Sequence, residues 1–282
     1  MIVYRPMVAG DIPAGLFLCR AAGWNQTAED WELFLKLSPK GCRVAVDDGE
    51  HVRGTVATVK YENHFSWIGM VLVDPAMQRQ GIGIQLLRES LSILCDEDTV
   101  KLDATPAGRQ IYVQLDFADE YAISRMEARK FVANEVSPSG ARPTESKDWA
   151  ALLSFDRHVF GADREVVLQS MMRRAPQYAF VSEDRGHIKG YCFGRTGHYF
   201  SQIGPVIASD LNTAKTVASA ALRNCAGSPV VIDALHQIPG WKQWLSSIGF
   251  KEQRPLIRMY RGSNAYPGIP EKQFAILGPE FG

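Results

Sequence analysis

The chain has 282 residues, of which 46% are hydrophobic and 22% charged, with 31 basic and 31 acidic side chains. This length suits one large domain or two ordinary ones, and the balanced charge lacks the basic excess of a nucleic-acid-binding protein. The longest apolar runs are shorter than a membrane helix, and the N-terminus lacks the basic and apolar regions of a signal peptide. We therefore expect a cytoplasmic protein without nucleic-acid or membrane partners.

The five cysteines are widely spaced and form no CxxC pair or Cys/His cluster. This pattern predicts neither a disulfide framework nor a zinc site, and we expect no metal in the protein.

The first half alternates strand and helix patterns that end at turn residues. An Asp-Gly turn after residue 47 joins two β-branched runs and predicts a hairpin. In chain order the patterns predict a strand over 2–7, helices between 11 and 37, strands over 42–46, 52–59 and 67–73, a helix over 81–94, a strand over 100–104, a helix over 108–115 and a strand over 121–126. The strand–helix–strand order predicts that strands 67–73 and 100–104 are parallel.

The second half repeats this order after a Ser-, Pro- and Gly-rich stretch, residues 137–148, which is the predicted linker. The predicted elements are helices over 149–159 and 164–173, strands over 178–183, 188–195 and 199–207, a helix over 211–224, a strand over 230–234, a helix over 241–248 and a strand over 256–261. Domain limits at 1–136 and 143–262 follow, and we expect the Pro- and Gly-containing tail, 263–282, to wrap over a surface.

The segment between strand 67–73 and the next helix contains Gly81-Ile82-Gly83, with Arg79 close before it. A helix N-terminus leaves about four backbone N–H groups unpaired, and glycine lets an anion approach them. The segment matches neither GxGxxG nor the Walker pattern, so the residues alone predict only a phosphate or pyrophosphate site.

Taken together, VDPAMQRQGIG at 73–83 resembles the acetyl-CoA pyrophosphate loop of the GNAT superfamily of N-acetyltransferases. The segment TPAGRQIYVQLDF at 105–117 is similar to the following GNAT helix, with Tyr112 and Phe117 in register. Thr105 replaces the usual Asn and Gly108 the usual Ala. The replacement at Thr105 affects one expected hydrogen bond to pantetheine.

The resemblance implies an α/β fold with two tandem GNAT-like domains. Each has a mixed, mostly antiparallel sheet with a central splayed pair of parallel strands, flanked by helices. The second domain resembles a degenerate copy, because Gly204-Pro205 and Asp210 stand where the loop would be. Pro205 has no backbone N–H to donate, and Asp210 would repel a phosphate.

In the family pattern, acetyl-CoA is held by the loop, by the backbone of the preceding strand and by the start of the next helix. The implied cofactor-binding residues are Val71, Leu72, Val73, Gln78, Arg79, Gln80, Gly81, Ile82, Gly83, Thr105, Gly108 and Tyr112. Gly69 is expected to mark a bulge or a close approach of backbone in the strand, where an N–H could stabilise an oxyanion. Tyr112 is the expected acid that protonates the departing thiolate, and a core aromatic is the alternative.

The base that takes the amine proton is less clearly indicated. Glu62 is the candidate, in the turn with His64 before the central strand, and a water chain to bulk solvent is the alternative. The acceptor wall is expected to include Trp24 and Asn25, with Tyr199 and Gln202 from the second domain.

The leading hypothesis is an acetyl-CoA-dependent N-acetyltransferase that acts on a small-molecule amine. The alternatives are acetylation of a protein or peptide amine, and a non-catalytic CoA-binding sensor. The sequence leaves the acceptor and the oligomeric state open, a homodimer included.

Overall fold

The computed structural model describes residues 1–133, 136 and 140–282, so residues 137–139 of the predicted linker lie outside the described residues. The first half contains, in order, β1 (Val3–Pro6), α1 (Ile12–Ala21), α2 (Ala28–Leu37), β2 (Arg43–Val46), β3 (Val52–Tyr61), β4 (Phe65–Val73), α3 (Ile82–Ile93), β5 (Thr99–Ala104), α4 (Pro106–Val113) and β6 (Ala118–Ala128). We call β1 to β6, with α1 to α4, the first copy.

The second copy follows with β7 (Arg142–Pro143), α5 (Trp149–Phe160), α6 (Glu165–Arg174), β8 (Phe180–Asp184), β9 (His187–Thr196), β10 (Ser201–Ala208), α7 (Leu211–Arg223), β11 (Val230–Leu235), α8 (Trp241–Ser247) and β12 (Lys251–Gly262). The tail adds one more strand, β13 (Gln273–Ala275). The predicted helices and strands are confirmed, although β12 begins at Lys251 rather than at 256.

Both copies begin with the same ion pair, which the sequence analysis missed. Arg5 contacts Asp11 through two hydrogen bonds of 2.7 and 2.8 Å, and Arg142 contacts Asp148 in the same way. Each aspartate directly precedes a helix, α1 or α5, and also accepts a backbone N–H three residues upstream. The linker prediction was therefore too long, because residues 142–148 already form the start of the second copy.

The two copies share one mixed sheet of 13 described strands. Its order is β1-β2-β3-β4-β5-β12-β6-β11-β13-β10-β9-β8-β7. The last strand of each copy lies beside the penultimate strand of the other: β12 pairs antiparallel with β5, and β6 with β11. Each half of the sheet is thus completed by the other copy.

A parallel strand pair lies at the centre of each copy and separates after two residue pairs. In the first copy β4 and β5 pair only at Ser66↔Val100 and Trp67↔Lys101. In the second copy β10 and β11 pair only at Ser201↔Val230 and Gln202↔Val231. The parallel pairing predicted from the sequence is confirmed, and both pairs open towards their carboxyl ends.

The opening in the second copy is filled by the tail of the chain. There β13 pairs antiparallel with β10 at Val206↔Ala275 and with β11 at Ala234↔Ala275. The residues after β13, from Ile276 to Gly282, are almost all buried. The expectation that the tail wraps over a surface was wrong, because the unpaired edges of β10 and β11 supply hydrogen-bonding groups that an extended segment can satisfy.

The tail passes closely over one glycine in each copy. A Cβ on Gly204 would lie 2.0 Å from the carbonyl oxygen of Ile276, and one on Gly69 would lie 3.0 Å from Cα of Glu280. Counted from the paired residues Ser66 and Ser201, the two glycines occupy equivalent positions. The close approach of backbone expected at Gly69 is confirmed, and the neighbour is the chain's own tail.

Gly204→Ala should destabilise the protein by about 1–3 kcal/mol, because the added methyl group must displace the backbone of the tail. Chemical denaturation followed by circular dichroism measures this change. Gly10→Ala is the control, since a Cβ there meets no atom within 4 Å, and it should stay within about 0.5 kcal/mol of the wild type. Equal stability of both variants would contradict the close packing of the tail.

Among the described residues, no helix is long and apolar enough to cross a membrane.

Candidate active site

A cavity of about 510 Å³ occupies the opening between β4 and β5 of the first copy. We call residues 78–83 the glycine loop. One group of lining residues comes from this loop and α3: Gln78, Arg79, Gly81, Ile82, Gly83, Ile84 and Leu87. A second comes from β4, β5 and α4: Ile68, Gly69, Met70, Val71, Val73, Thr105, Ala107, Gly108, Ile111 and Tyr112. A third, the polar end, combines both copies and the tail: Trp24, Gln26, Asp103, Arg125, Arg254, Leu256, Pro279 and Glu280.

The glycine loop presents a series of unpaired backbone donors to this cavity. Gly81 is the N-cap of α3 with φ of +85°, a conformation that glycine adopts without strain. From Gln78 to Ile84 the backbone N–H groups donate to no acceptor among the described residues. These donors and the positive end of the helix dipole suit an anionic group. Gln80 is exposed and does not line the cavity.

A bulge interrupts β4 where the strand lines the cavity. The pairing register with β3 shifts between Thr55↔Leu72 and Ala57↔Gly69, and Met70 adopts a φ of +56°. The hydroxyl of Thr55 donates to the carbonyl oxygen of Met70 at 2.9 Å and holds the bulge. Val71 and Val73 line the cavity, whereas the Leu72 side chain is buried in the core, so only its backbone could contact a ligand.

Helix α4 places Tyr112 against the cavity. Thr105 caps the helix by accepting the N–H of Gly108 at 3.2 Å. A Cβ on Gly108 would lie 3.0 Å from Cε2 of Tyr112, so the glycine leaves room for the ring. The Tyr112 hydroxyl makes no hydrogen bond with the described residues, and burial raises the pKa of Tyr112 to about 12. A neutral proton donor without a hydrogen-bond partner among the described residues therefore lines the cavity.

Three buried ion pairs surround the polar end. Arg125 contacts Asp233 through two hydrogen bonds of 2.7 Å, and Arg258 contacts Asp103 at 2.9 and 3.0 Å. Glu280 pairs with Arg195. The first two pairs join strands of different copies.

Arg195 lies behind the polar end and connects it to α2. Besides Glu280 it contacts Asp30 at 2.5 Å and Gln202 at 2.9 Å. The amide of Gln202 then donates to Asp233 at 2.9 Å. The predicted acceptor residue Gln202 is therefore fully buried in this network and does not line the cavity.

The other predicted acceptor residues are divided between two places. Trp24 lines the cavity. The Asn25 side chain instead accepts the backbone N–H groups of Tyr199 and Phe200, at 2.9 and 3.0 Å, and fastens that turn to the first copy. Tyr199 is 42% exposed and lines a separate surface depression.

The structure does not bring Glu62 to the cavity. One of its carboxylate oxygens contacts Arg157 at 2.7 Å, and the other accepts the backbone N–H of Asp163 at 2.9 Å. The neighbouring His64 contacts the carbonyl oxygen of Gly161 at 2.9 Å. These contacts join the β3–β4 turn to the second copy, so the geometry indicates a structural role for this turn.

The sequence analysis missed Arg125, Arg254 and Glu280, which line the polar end. One signal was available, because Arg125 and Arg258 lie within mostly apolar strand patterns, and buried charges of this kind are normally paired. Glu280 had no comparable signal, since its position depends on the path of the tail.

The corresponding loop position of the second copy is closed in two ways. Asp210 caps α7 and accepts the backbone N–H and the hydroxyl of Thr213, at 2.9 and 2.8 Å. These hydrogen bonds lower the pKa of Asp210, so a negative charge stands where the first copy has free N–H groups. The opening between β10 and β11 contains β13.

In the described part of the chain, no three His, Cys, Asp or Glu side chains are grouped as metal ligands.

Comparison with known proteins gives a consistent result for both copies. Residues 38–119 match one family model described as an acetyltransferase (GNAT) domain, and residues 152–275 match another with the same description. A Bacillus subtilis (strain 168) protein named uncharacterized N-acetyltransferase YitH is 23% identical over 198 residues, which is 69% of each chain.

Two solved structures show the same fold along the chain. A putative acetyltransferase from Pyrococcus horikoshii has a TM-score of 0.83 and 24% identity, covering 100% of this chain and 96% of its own. A tandem GNAT protein from the clavulanic acid biosynthesis pathway has a TM-score of 0.65 and 14% identity, covering 92% and 98%. The chain therefore belongs to the GNAT acetyltransferases, as a tandem enzyme with two GNAT domains.

Proposed function

We propose that the protein transfers an acetyl group from acetyl-CoA to the primary amine of a small molecule, in the cavity of the first copy. The observation that carries the proposal is the continuity of this cavity from the free N–H groups of the glycine loop, past Tyr112, to the polar end. GNAT acetyltransferases generally use acetyl-CoA, and the tandem GNAT neighbour is described in a state without AcCoA.

The residues present fit acetyl-CoA in three places. The N–H groups from Gln78 to Ile84 would bind the pyrophosphate, with Arg79 as an additional cation. The backbone of Val71 to Val73 would lie along the pantetheine, and Thr105 and Gly108 would border it on the α4 side. Because Asp210 and β13 close the second copy, we infer one cofactor site per chain.

Acetyl-CoA supplies an activated thioester. The residues of the chain would orient this thioester and protonate the departing sulfur. The bulge at Gly69 and Met70 lies near the point where β4 and β5 separate. A backbone N–H there would stabilise the thioester carbonyl oxygen as it gains negative charge. Tyr112 would deliver a proton to the departing sulfur. The nitrogen replaces sulfur on the acetyl carbon, so one N–H proton is lost and one S–H bond is formed.

A small acceptor is favoured over a protein because the polar end is enclosed. Trp24 and Gln26 border it from the α1–α2 loop, β12 supplies Arg254 and Leu256, and Glu280 comes from the tail. An acceptor must pass between these elements, which favours a small molecule, and an extended peptide terminus is the alternative to test.

The test is release of free CoA thiol from acetyl-CoA in the presence of a panel of small amines and short peptides. We expect turnover with small amines and little with peptides. Tight binding of CoA without turnover on any amine would favour the sensor hypothesis, and preference for peptides would favour acetylation of protein amines.

A further inference from the structure

At the polar end of the cavity, Arg254 has no counter-ion among the described residues. Arg254 lies on β12 directly opposite Arg125 on β6, so the two side chains share a face of the sheet. Arg125 is neutralised by Asp233. The Arg254 guanidinium makes no salt bridge with the described residues, and its Nε is buried without a hydrogen-bond partner.

This arrangement is unfavourable unless an anion completes it. Like charges opposite each other on neighbouring strands are destabilising, and a buried guanidinium loses hydration that only a partner can replace. Burial and the nearby Arg125 together lower the pKa of Arg254 to about 10. Arg254 nevertheless lines the cavity.

The carboxylates at this end are already engaged with other arginines. Asp103 pairs with Arg258, and one oxygen of Glu280 pairs with Arg195. The other oxygen of Glu280, Oε2, has no hydrogen-bond partner among the described residues. That oxygen is itself buried, so the Arg254 guanidinium is the unpaired charged group that the described residues of the polar end offer a ligand.

Arg254 and the glycine loop approach the cavity from different faces of the sheet. Met259 packs in the core cluster under α3 with Ile82 and Leu86. Side chains alternate along a strand, so Arg258, Leu256 and Arg254 point to the opposite face. This separation assigns Arg254 to the acceptor rather than to the pyrophosphate.

Given the proposed acetyl transfer, on which this inference rests, we propose that the acceptor is a small amine that also carries an anionic group, with an amino acid as the simplest class. Arg254 binds the anionic group, and the amine of the same molecule attacks the thioester. A guanidinium binds carboxylates and phosphates with two parallel hydrogen bonds, so the experiment must distinguish these groups.

The experiment compares amines in matched sets: amino acids, their carboxamides and aminoalkyl phosphates. We expect kcat/KM of the wild type to favour one anionic set over the carboxamides by about 10-fold or more. Arg254→Gln should lower kcat/KM for that set by about 10- to 100-fold, without changing KM for acetyl-CoA or kcat/KM for the carboxamides. Arg261→Gln, on the same strand outside the cavity, is the control and should behave like the wild type.

Binding supplies a readout that does not need turnover. N-acetyl amino acids, N-acetylaminoalkyl phosphates and N-acetyl amino acid amides are titrated calorimetrically into the CoA-saturated wild type and Arg254→Gln. Selective binding of an anionic set that Arg254→Gln loses supports the proposal, even if acetyl transfer itself is not observed. The proposal is overturned if the wild type binds charged and neutral compounds with equal affinity, or if Arg254→Gln loses equal affinity for both. It is also overturned if neither anionic set binds. Transfer of acetyl to neutral amines alone would leave the proposed function intact.

Discussion

Gly83→Glu is expected to abolish binding of acetyl-CoA. The substitution places a negative charge in the first turn of α3, beside the N–H groups that would bind the pyrophosphate. Its Cβ would also lie 3.3 Å from Cγ2 of Val73, which itself lines the cavity. Isothermal calorimetry with CoA should show one site in the wild type and none in the variant.

Gly83→Gln is the matched control for this variant, because it has the same size without the charge. We expect it to weaken binding by less than Gly83→Glu, and the difference between the two measures the electrostatic part. Both variants should unfold at similar denaturant concentrations. Unchanged CoA affinity in Gly83→Glu would show that the pyrophosphate binds elsewhere, and the second copy could then no longer be dismissed as a binding site.

Tyr112→Phe is expected to lower kcat by about 10- to 1000-fold while leaving the affinity for acetyl-CoA nearly unchanged. The substitution removes only a hydroxyl that makes no hydrogen bond with the described protein, so the fold should be unaffected. Because burial raises the pKa of Tyr112 to about 12, the hydroxyl stays protonated at neutral and mildly alkaline pH. Tyr112 should therefore cause no fall in kcat below about pH 10.

A change of acyl donor separates an acid from a packing residue. When the thiol of the acyl donor has a low pKa, its thiolate leaves without being protonated. The difference in kcat between the wild type and Tyr112→Phe should therefore shrink with such a donor. Tyr266→Phe is the control, since Tyr266 stacks on His64 outside the cavity. If Tyr112→Phe has the wild-type kcat with acetyl-CoA, the tyrosine is only part of the wall.

The loop side of the cavity was predictable because its determinants are local in the sequence. The loop at 78–83, the N-cap Thr105 and the ring of Tyr112 all lie within about one strand–helix–strand unit, where short-range patterns fix the geometry. The parallel pairing of β4 with β5 followed from the same unit.

The polar end of the cavity depends on contacts between distant residues. Arg125 meets Asp233 across 108 positions, and Trp67 donates to the carbonyl oxygen of Pro279 across 212. No local pattern distinguishes a tail that enters a sheet from one that lies on a surface. For this reason Glu62, in a polar turn near the central strand, was chosen as the candidate base. No sequence pattern indicated that Glu280 would lie at the polar end of the cavity.

The exchanged strands have a consequence for how the chain reaches its native state. Asp103 and Arg258, 155 positions apart, belong to strands that pair directly. Strand β5 therefore has only β4 as a neighbour until the end of the second copy has been synthesised. Pairing over such distances closes long loops and slows folding. Although the two copies repeat the same order of elements, they should thus unfold in one cooperative transition. During synthesis, the first copy should reach its native structure only after β12 has been made.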